Sequence, residues 1–287
     1  MEDKLKSVTV VGLGLMGGSW VRGLKASGFR GRIYGLDCKH QVIKEAHEEG
    51  WIDNPDYQLD YLYETDLLVL ALPLEAYETS LKTFRPYLSP DCIITDLGSC
   101  KQVVHQWVRD ILGDYALFVG GHPMVGSEKA GLKASSADLY KQAPYLLTGY
   151  KEDLRVIHQV KEVIDLLDCQ VHITSPEAHD IMVSKTSHLP HISAALLAQL
   201  AGQEDHLRDY VGGGFRDTTR IAGANPHMWT QILMTNRDQV LKTLDLYVDH
   251  ILLFKNMLEG KDTASIFKVL DQAKGVRDQI SIKALGA

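Results

Sequence analysis

No stretch of this chain approaches the roughly 18 uninterrupted apolar residues that a membrane-spanning helix needs. The polar start MEDKLKS likewise lacks the apolar core of a signal peptide, so a cytoplasmic protein is expected. Cysteine is scarce. Cys38, Cys92, Cys100 and Cys169 lie far apart with no CxxC pair, which argues against a disulfide framework and a cysteine zinc site and leaves reduced thiols; no metal is expected. An excess of basic residues is also missing: 37 acidic residues stand against 30 basic ones, for a formal net charge of −7. That balance argues against a nucleic-acid surface and makes any anionic small ligand dependent on locally placed arginines and histidines. There is no internal repeat and no low-complexity tract. Apolar residues are plentiful, 45% of 287, which suffices for a packed core in one large domain or two ordinary ones.

Up to about Ile173, short β-rich runs alternate with amphipathic stretches, the pattern of βαβ units feeding a mostly parallel sheet. Strands are predicted near residues 7–12, 32–37, 66–71, 92–96 and 117–120, with helices near 17–27, 41–49, 76–87 and 101–112. Gly28, Gly50 and Gly113 sit where C-terminal caps belong. Runs at 145–148 and 170–173 flank a helical stretch at 153–167 and extend the sheet. After Thr174 the β-signals stop, and helices follow with breaks at Gly202, residues 212–214 and Gly260. The expected fold is therefore an α/β Rossmann-type N-terminal domain, residues 1–174, followed by an all-helical C-terminal dimerisation domain, residues 175–287. Leu, Ile and Met recur through 229–258, and those faces need partners, either in a second subunit or within the chain.

Residues 8–17, VTVVGLGLMG, join a buried strand to a glycine-rich turn and a helix start. Gly12 permits the tight turn and Gly14 lets the backbone approach a pyrophosphate. Gly17 allows close helix–strand packing, with Leu15 and Met16 completing the cradle. A glycine-rich turn can be merely structural, but Asp37 at the end of the second strand adds a carboxylate for a ribose hydroxyl. That carboxylate repels a 2′-phosphate, so NAD is expected over NADP, although Lys39 and His40 leave some room for NADP. Leu72 and Pro73, after the next strand, wall the adenosine side or simply end that strand.

Four further segments carry ionisable groups: 96–101 (DLGSCK), 122–131 (HPMVGSEKAG), 187–191 (SHLPH) and 212–221 (GGGFRDTTRI). In this order, together with the glycine fingerprint, the set resembles the prephenate dehydrogenase family of tyrosine biosynthesis, of which arogenate dehydrogenases are close relatives. The resemblance covers essentially the whole chain. It implies NAD-dependent oxidative decarboxylation of prephenate to 4-hydroxyphenylpyruvate and CO2, by a homodimer joined through its helical domain.

Carried to matching positions, the resemblance makes His122 the acceptor and base for the C4 hydroxyl of prephenate. An imidazole of pKa about 6.5 suits that task at neutral pH. It makes Ser99 the partner of both that hydroxyl and His122, and Arg220 the binder of a substrate carboxylate. His191 and Ser187 hold the substrate side chain, Gly213 and Trp229 shape the pocket, and Glu128 tunes access through ionic contacts. Each has a plainer explanation: a strand-end imidazole, a loop serine, helix packing for Trp229, a flexible turn for Gly213, a solvated glutamate. Lys101 could begin the next helix on its solvated face, and His188 fits a packing role. His179 and Asp180 match a family segment near the cofactor but equally suit a first helical turn. Arg208 and Arg216 match no motif position.

Many family members add a regulatory domain of the ACT type or a chorismate mutase, which residues up to Ala287 do not include; tyrosine feedback is then expected to act by competition in the active site. Three other readings stay open. An arogenate dehydrogenase differs only in the substrate side chain, and no obvious carboxylate is placed for an ammonium. A non-catalytic NAD sensor would need the glycines and Asp37 but not His122, Ser99 and Arg220 together. A β-hydroxyacid dehydrogenase would need a helical-domain lysine, for which Lys185 is the candidate.

Overall fold

The computed structural model describes residues 5–113, 116–126, 129–150 and 154–285. A seven-stranded sheet organises the first part of the chain, in the order β2-β1-β3-β4-β5-β6-β7. Its strands are β1 (Ser7–Val11), β2 (Arg32–Leu36), β3 (Leu67–Leu70), β4 (Ile93–Asp96), β5 (Leu117–Pro123), β6 (Pro144–Thr148) and β7 (Gln170–Thr174). Only the β5–β6 pair is antiparallel. Helices α1 (Leu15–Ala26), α2 (His40–Glu48), α3 (Tyr77–Phe84), α4 (Gln102–Leu112) and α5 (Leu154–Asp165) connect the strands.

β1, β3 and β4 are buried along their whole length, as parallel strands covered on both faces must be. Alternate residues feed two separate cores. Val8, Val10, Leu67, Val69 and Ile93 join one, with Trp20 and Val119. Val11, Leu68, Leu70 and Ile94 join the other, with Tyr77 and Phe118. Because β1 lies between β2 and β3, the connections depart to opposite sides there. That switch point is where an open parallel sheet leaves a crevice at its carboxyl ends.

β5 runs on to Pro123 rather than stopping near residue 120 as the sequence suggested, so His122 lies within a strand and opposite Leu146 of β6. Two glycines conceal this continuation, since glycine has low strand propensity. They are present for steric reasons: a Cβ on Gly120 would meet Thr148 Oγ1, and one on Gly121 would meet the Asp96 carbonyl.

After β7 come α6 (Pro176–Val183), one π-helical turn (Ser184–His188), α7 (Leu189–Ala201), α8 (Leu207–Tyr210), α9 (Gly213–Thr219) and α10 (Pro226–Thr235). The strands end at Thr174, but the division by packing falls later: residues 1–237 form one compact unit and 238–287 a second. The second unit consists of most of α11 (Arg237–Glu259) together with α12 (Thr263–Leu285). Its helices carry exposed Leu246, Ile251, Leu252, Leu253, Phe267 and Leu270. Among the described residues no helix is long and apolar enough to cross a membrane.

Candidate active site

The crevice at the switch point is built by glycine geometry. Gly12 follows β1 at φ +92°, in the left-handed region, and a Cβ there would strike the Ala71 carbonyl. A Cβ on Gly17 would strike the Gly12 carbonyl, whereas one on Gly14 would meet nothing within 4 Å. Gly12 and Gly17 thus close the turn against the sheet, and Gly14 leaves the backbone open to a ligand. Gly14 also begins α1 without any side-chain cap, leaving first-turn amides for an anion.

Over this turn lies a cavity of ≈ 600 Å³ bounded by Gly14, Asp37, His40, Leu72 and Pro73, among others. Asp37 is fixed there by the amides of Leu13 and Lys39, each 2.9 Å from one of its carboxylate oxygens. These features fit a dinucleotide with a free ribose diol. Met16 does not line the cavity: it packs against the core, and its carbonyl accepts the Tyr140 hydroxyl at 2.7 Å. Leu15, half-buried, opens the same helix.

At the other parallel strand ends, His122 is 8% exposed on β5. Its Nδ1 lies 2.8 Å from Nε2 of His179, whose Nδ1 lies 2.7 Å from Asp180 Oδ1. The local sequence positions this pair. Ser175 caps α6 by accepting the Ala178 amide at 3.1 Å and Pro176 takes the first helical position, so His179 and Asp180 fall in the opening turns. Burial pushes the His122 imidazole well below its ordinary range, and the neighbouring His179, Lys101 and His188 push it further. His179 is lowered chiefly by burial, with Asp180 opposing. His122 is therefore neutral at physiological pH.

Lys101 is where the structure departs most from the sequence reading: it is fully buried, not on a solvated face. Its ammonium lies 2.6 and 2.5 Å from the two Asp96 oxygens and 2.7 Å from the Gly121 carbonyl. Asp96 in turn accepts the Gly121 amide (3.0 Å), the Gly98 amide (2.9 Å) and the Tyr77 hydroxyl (3.1 Å). Both backbone groups of the residue before His122 are thereby clamped, as is the loop that carries Ser99. A lysine at a helix N-terminus opposes the helix dipole, and that mismatch was the available sequence signal for a buried anionic partner.

The SHLPH segment folds as the π turn and the start of α7. Pro190 lacks an N–H and cannot sustain the i→i−4 ladder, and the turn widens ahead of it. His191 therefore lies on α7, beyond α6 and this turn. Its ring stacks on Trp229 of α10, with centroids 3.6 Å apart and planes 4° from parallel; His188 approaches the same indole edge-on at 6.2 Å. His188 Nδ1 lies 3.3 Å from Asn236 Nδ2, which also donates to the Asp180 carbonyl at 2.8 Å. Burial lowers His188 to about 4. His188 Nε2 and His191 Nδ1 are buried and have no hydrogen-bond partner among the described residues.

Ser187 is half-buried in the π turn, and Ser99 is half-buried between β4 and α4. Arg220 is exposed and opens the short turn after α9; α7 packs against both. Gly213 is exposed in the first turn of α9, and a Cβ there would meet nothing within 4 Å. Among the described residues no hydrogen bond joins Ser99 or Arg220 to His122. Glu128 lies outside the described residues.

Residues 21–173 match the family model described as the prephenate dehydrogenase nucleotide-binding domain, and 175–272 that described as its dimerization domain. The chain is 33% identical to the prephenate dehydrogenase of Bacillus subtilis strain 168, over 100% of this chain and 79% of that protein. It is similar to the solved prephenate dehydrogenase from A. aeolicus in complex with hydroxyphenyl propionate and NAD+, with a TM-score of 0.89 at 32% identity, over 98% of this chain and 100% of that one. Synechocystis arogenate dehydrogenase is similar with a TM-score of 0.86 at 27% identity, over 96% and 99% of the two chains.

Proposed function

This chain belongs to the prephenate dehydrogenase family, and from that premise we propose that it converts prephenate to 4-hydroxyphenylpyruvate and CO2 with NAD. The observation that carries the reading is a neutral, buried His122 on the same sheet edge as an open glycine cradle marked by Asp37. NAD, when bound, supplies the hydride acceptor. His122 takes the C4 hydroxyl proton as the C4 hydride departs. The C1–carboxylate bond breaks to release CO2, its electron pair enters the ring, and the proton returns to the oxygen of the resulting phenol. One hydride and one CO2 leave, with no net proton.

Ser99 supplies a second hydrogen bond to the C4 oxygen. Arg220 grips a substrate carboxylate, and His191, Ser187, Trp229 and Gly213 enclose the side chain; Glu128 tunes access. Arg220→Gln is expected to raise KM for prephenate by about ten- to a hundredfold with a smaller change in kcat, the loss of one charge-assisted pair. Steady-state kinetics check this. Asp37→Ser removes the ribose acceptor and the repulsion of a 2′-phosphate, and is expected to shift the NAD/NADP preference by about tenfold toward NADP, read as the ratio of kcat/KM values.

Prephenate is favoured over arogenate because no described carboxylate bonds to His191, Ser187 or Arg220, leaving nothing to receive an ammonium. Functionally, residues 1–174 serve the cofactor, and residues 175–287 serve the substrate and a homodimer, as the exposed apolar side chains of α11 and α12 support. The unpaired cysteines accord with a cytoplasmic enzyme. The test is product identity: prephenate and NAD should yield 4-hydroxyphenylpyruvate by mass spectrometry, with CO2 and NADH in equal amounts. NADH without CO2, or neither, would overturn the assignment.

A further inference from the structure

We propose that Asp180 and His179 are positioning residues that lock His122 in one tautomer, with Nδ1 protonated and Nε2 free to accept a proton. The donor and acceptor sequence can be read in one direction only. Asp180 Oδ1 accepts the Lys101 amide at 2.8 Å and Oδ2 accepts the Gln102 amide at 2.9 Å, so both oxygens are acceptors pinned to the N-terminus of α4. The partner of Oδ1 at 2.7 Å, His179 Nδ1, must then be a donor. Neutral His179 has its proton on Nδ1, which leaves Nε2 as an acceptor. His122 Nδ1, 2.8 Å away, is therefore the donor, and its lone pair is on Nε2.

Without this chain, the two tautomers of a neutral imidazole compete, and the one with Nε2 protonated cannot take a hydroxyl proton at that atom. Asp180 also ties the arrangement to the rest of the site. Its carbonyl accepts Asn236 Nδ2, and its side chain holds the start of α4, directly after the loop that carries Ser99. The catalytic consequence rests on the proposed reaction, but the tautomer itself is a property of the protein without substrate.

The experiment is twofold. In protein labelled with 15N-histidine, with His122 assigned by its absence from the spectrum of His122→Asn, the ring at neutral pH should show Nδ1–H and an unprotonated Nε2. A His122 signal from the Nε2–H tautomer would overturn the proposal, whatever reaction the enzyme performs. With prephenate and NAD, His179→Leu should lose about thirtyfold or more in kcat with KM for both substrates within about threefold. His179→Gln, whose amide oxygen can accept from Nδ1, should recover at least tenfold of that loss. Undiminished turnover in His179→Leu, or no recovery in a folded His179→Gln, would also overturn it. A wild-type enzyme silent with prephenate and arogenate would instead remove the functional reading and leave the NMR result standing.

Discussion

Replacing His122 by Asn is expected to lower turnover by about two to four orders of magnitude and leave NAD affinity within about twofold. Asparagine can form a hydrogen bond at this position but cannot hold the proton that leaves the C4 hydroxyl, so only the chemical step suffers. The cofactor cradle lies at the ends of β1 and β3 and is untouched by the change. The wild-type pH profile carries a related expectation. Burial lowers His122, so the base remains unprotonated below the ordinary imidazole range, and the acid limb of kcat/KM should fall below pH ~6.5. An imidazole raised by its surroundings would instead place that acid limb above pH ~6.5. Stopped-flow turnover, NAD titration by fluorescence and a pH–rate profile check the three statements.

Lys101→Met is expected to destabilise the fold by about 3 kcal/mol, the lower end of the range for breaking a buried ion pair. The lower end applies because Asp96 keeps the Gly121 and Gly98 amides and the Tyr77 hydroxyl as donors when the ammonium is gone. Gly121, however, loses the donor to its carbonyl, so the residue before His122 is held from one side only. Turnover should fall beyond what the remaining folded fraction explains. Urea unfolding gives the stability change, and kcat per folded molecule gives the second effect. A variant that also carries Asp96→Asn should regain part of the stability, because no unpaired charge stays buried.

The cofactor half was legible because its requirements are local. A buried strand, a glycine at positive φ, and a glycine where a Cβ would strike the preceding turn leave their marks within a few residues. The parallel sheet was legible for the same reason: burial of both faces along the whole of β1 and β3 leaves nearly continuous apolar runs. Interactions across the fold left much weaker traces. Lys101 and Asp180 are 79 positions apart, and only the packing of α6 against α4 brings them together. The same packing turns His179 from a plausible first-turn residue into the partner of His122. Asn236 carried no motif at all, and its bonds to Asp180 and His188 depend on where α10 ends. His188, read as a packing residue, does pack against Trp229, but it also keeps a buried Nε2 that has no hydrogen-bond partner among the described residues.

The most direct measurement is reduced-nicotinamide absorbance on mixing the purified protein with NAD or NADP and either prephenate or arogenate. Rapid NADH formation is predicted from prephenate and NAD, with much slower reaction in the other three mixtures. A clear preference for arogenate would contradict the assigned substrate, and no absorbance change in any mixture would contradict an enzymatic role for His122.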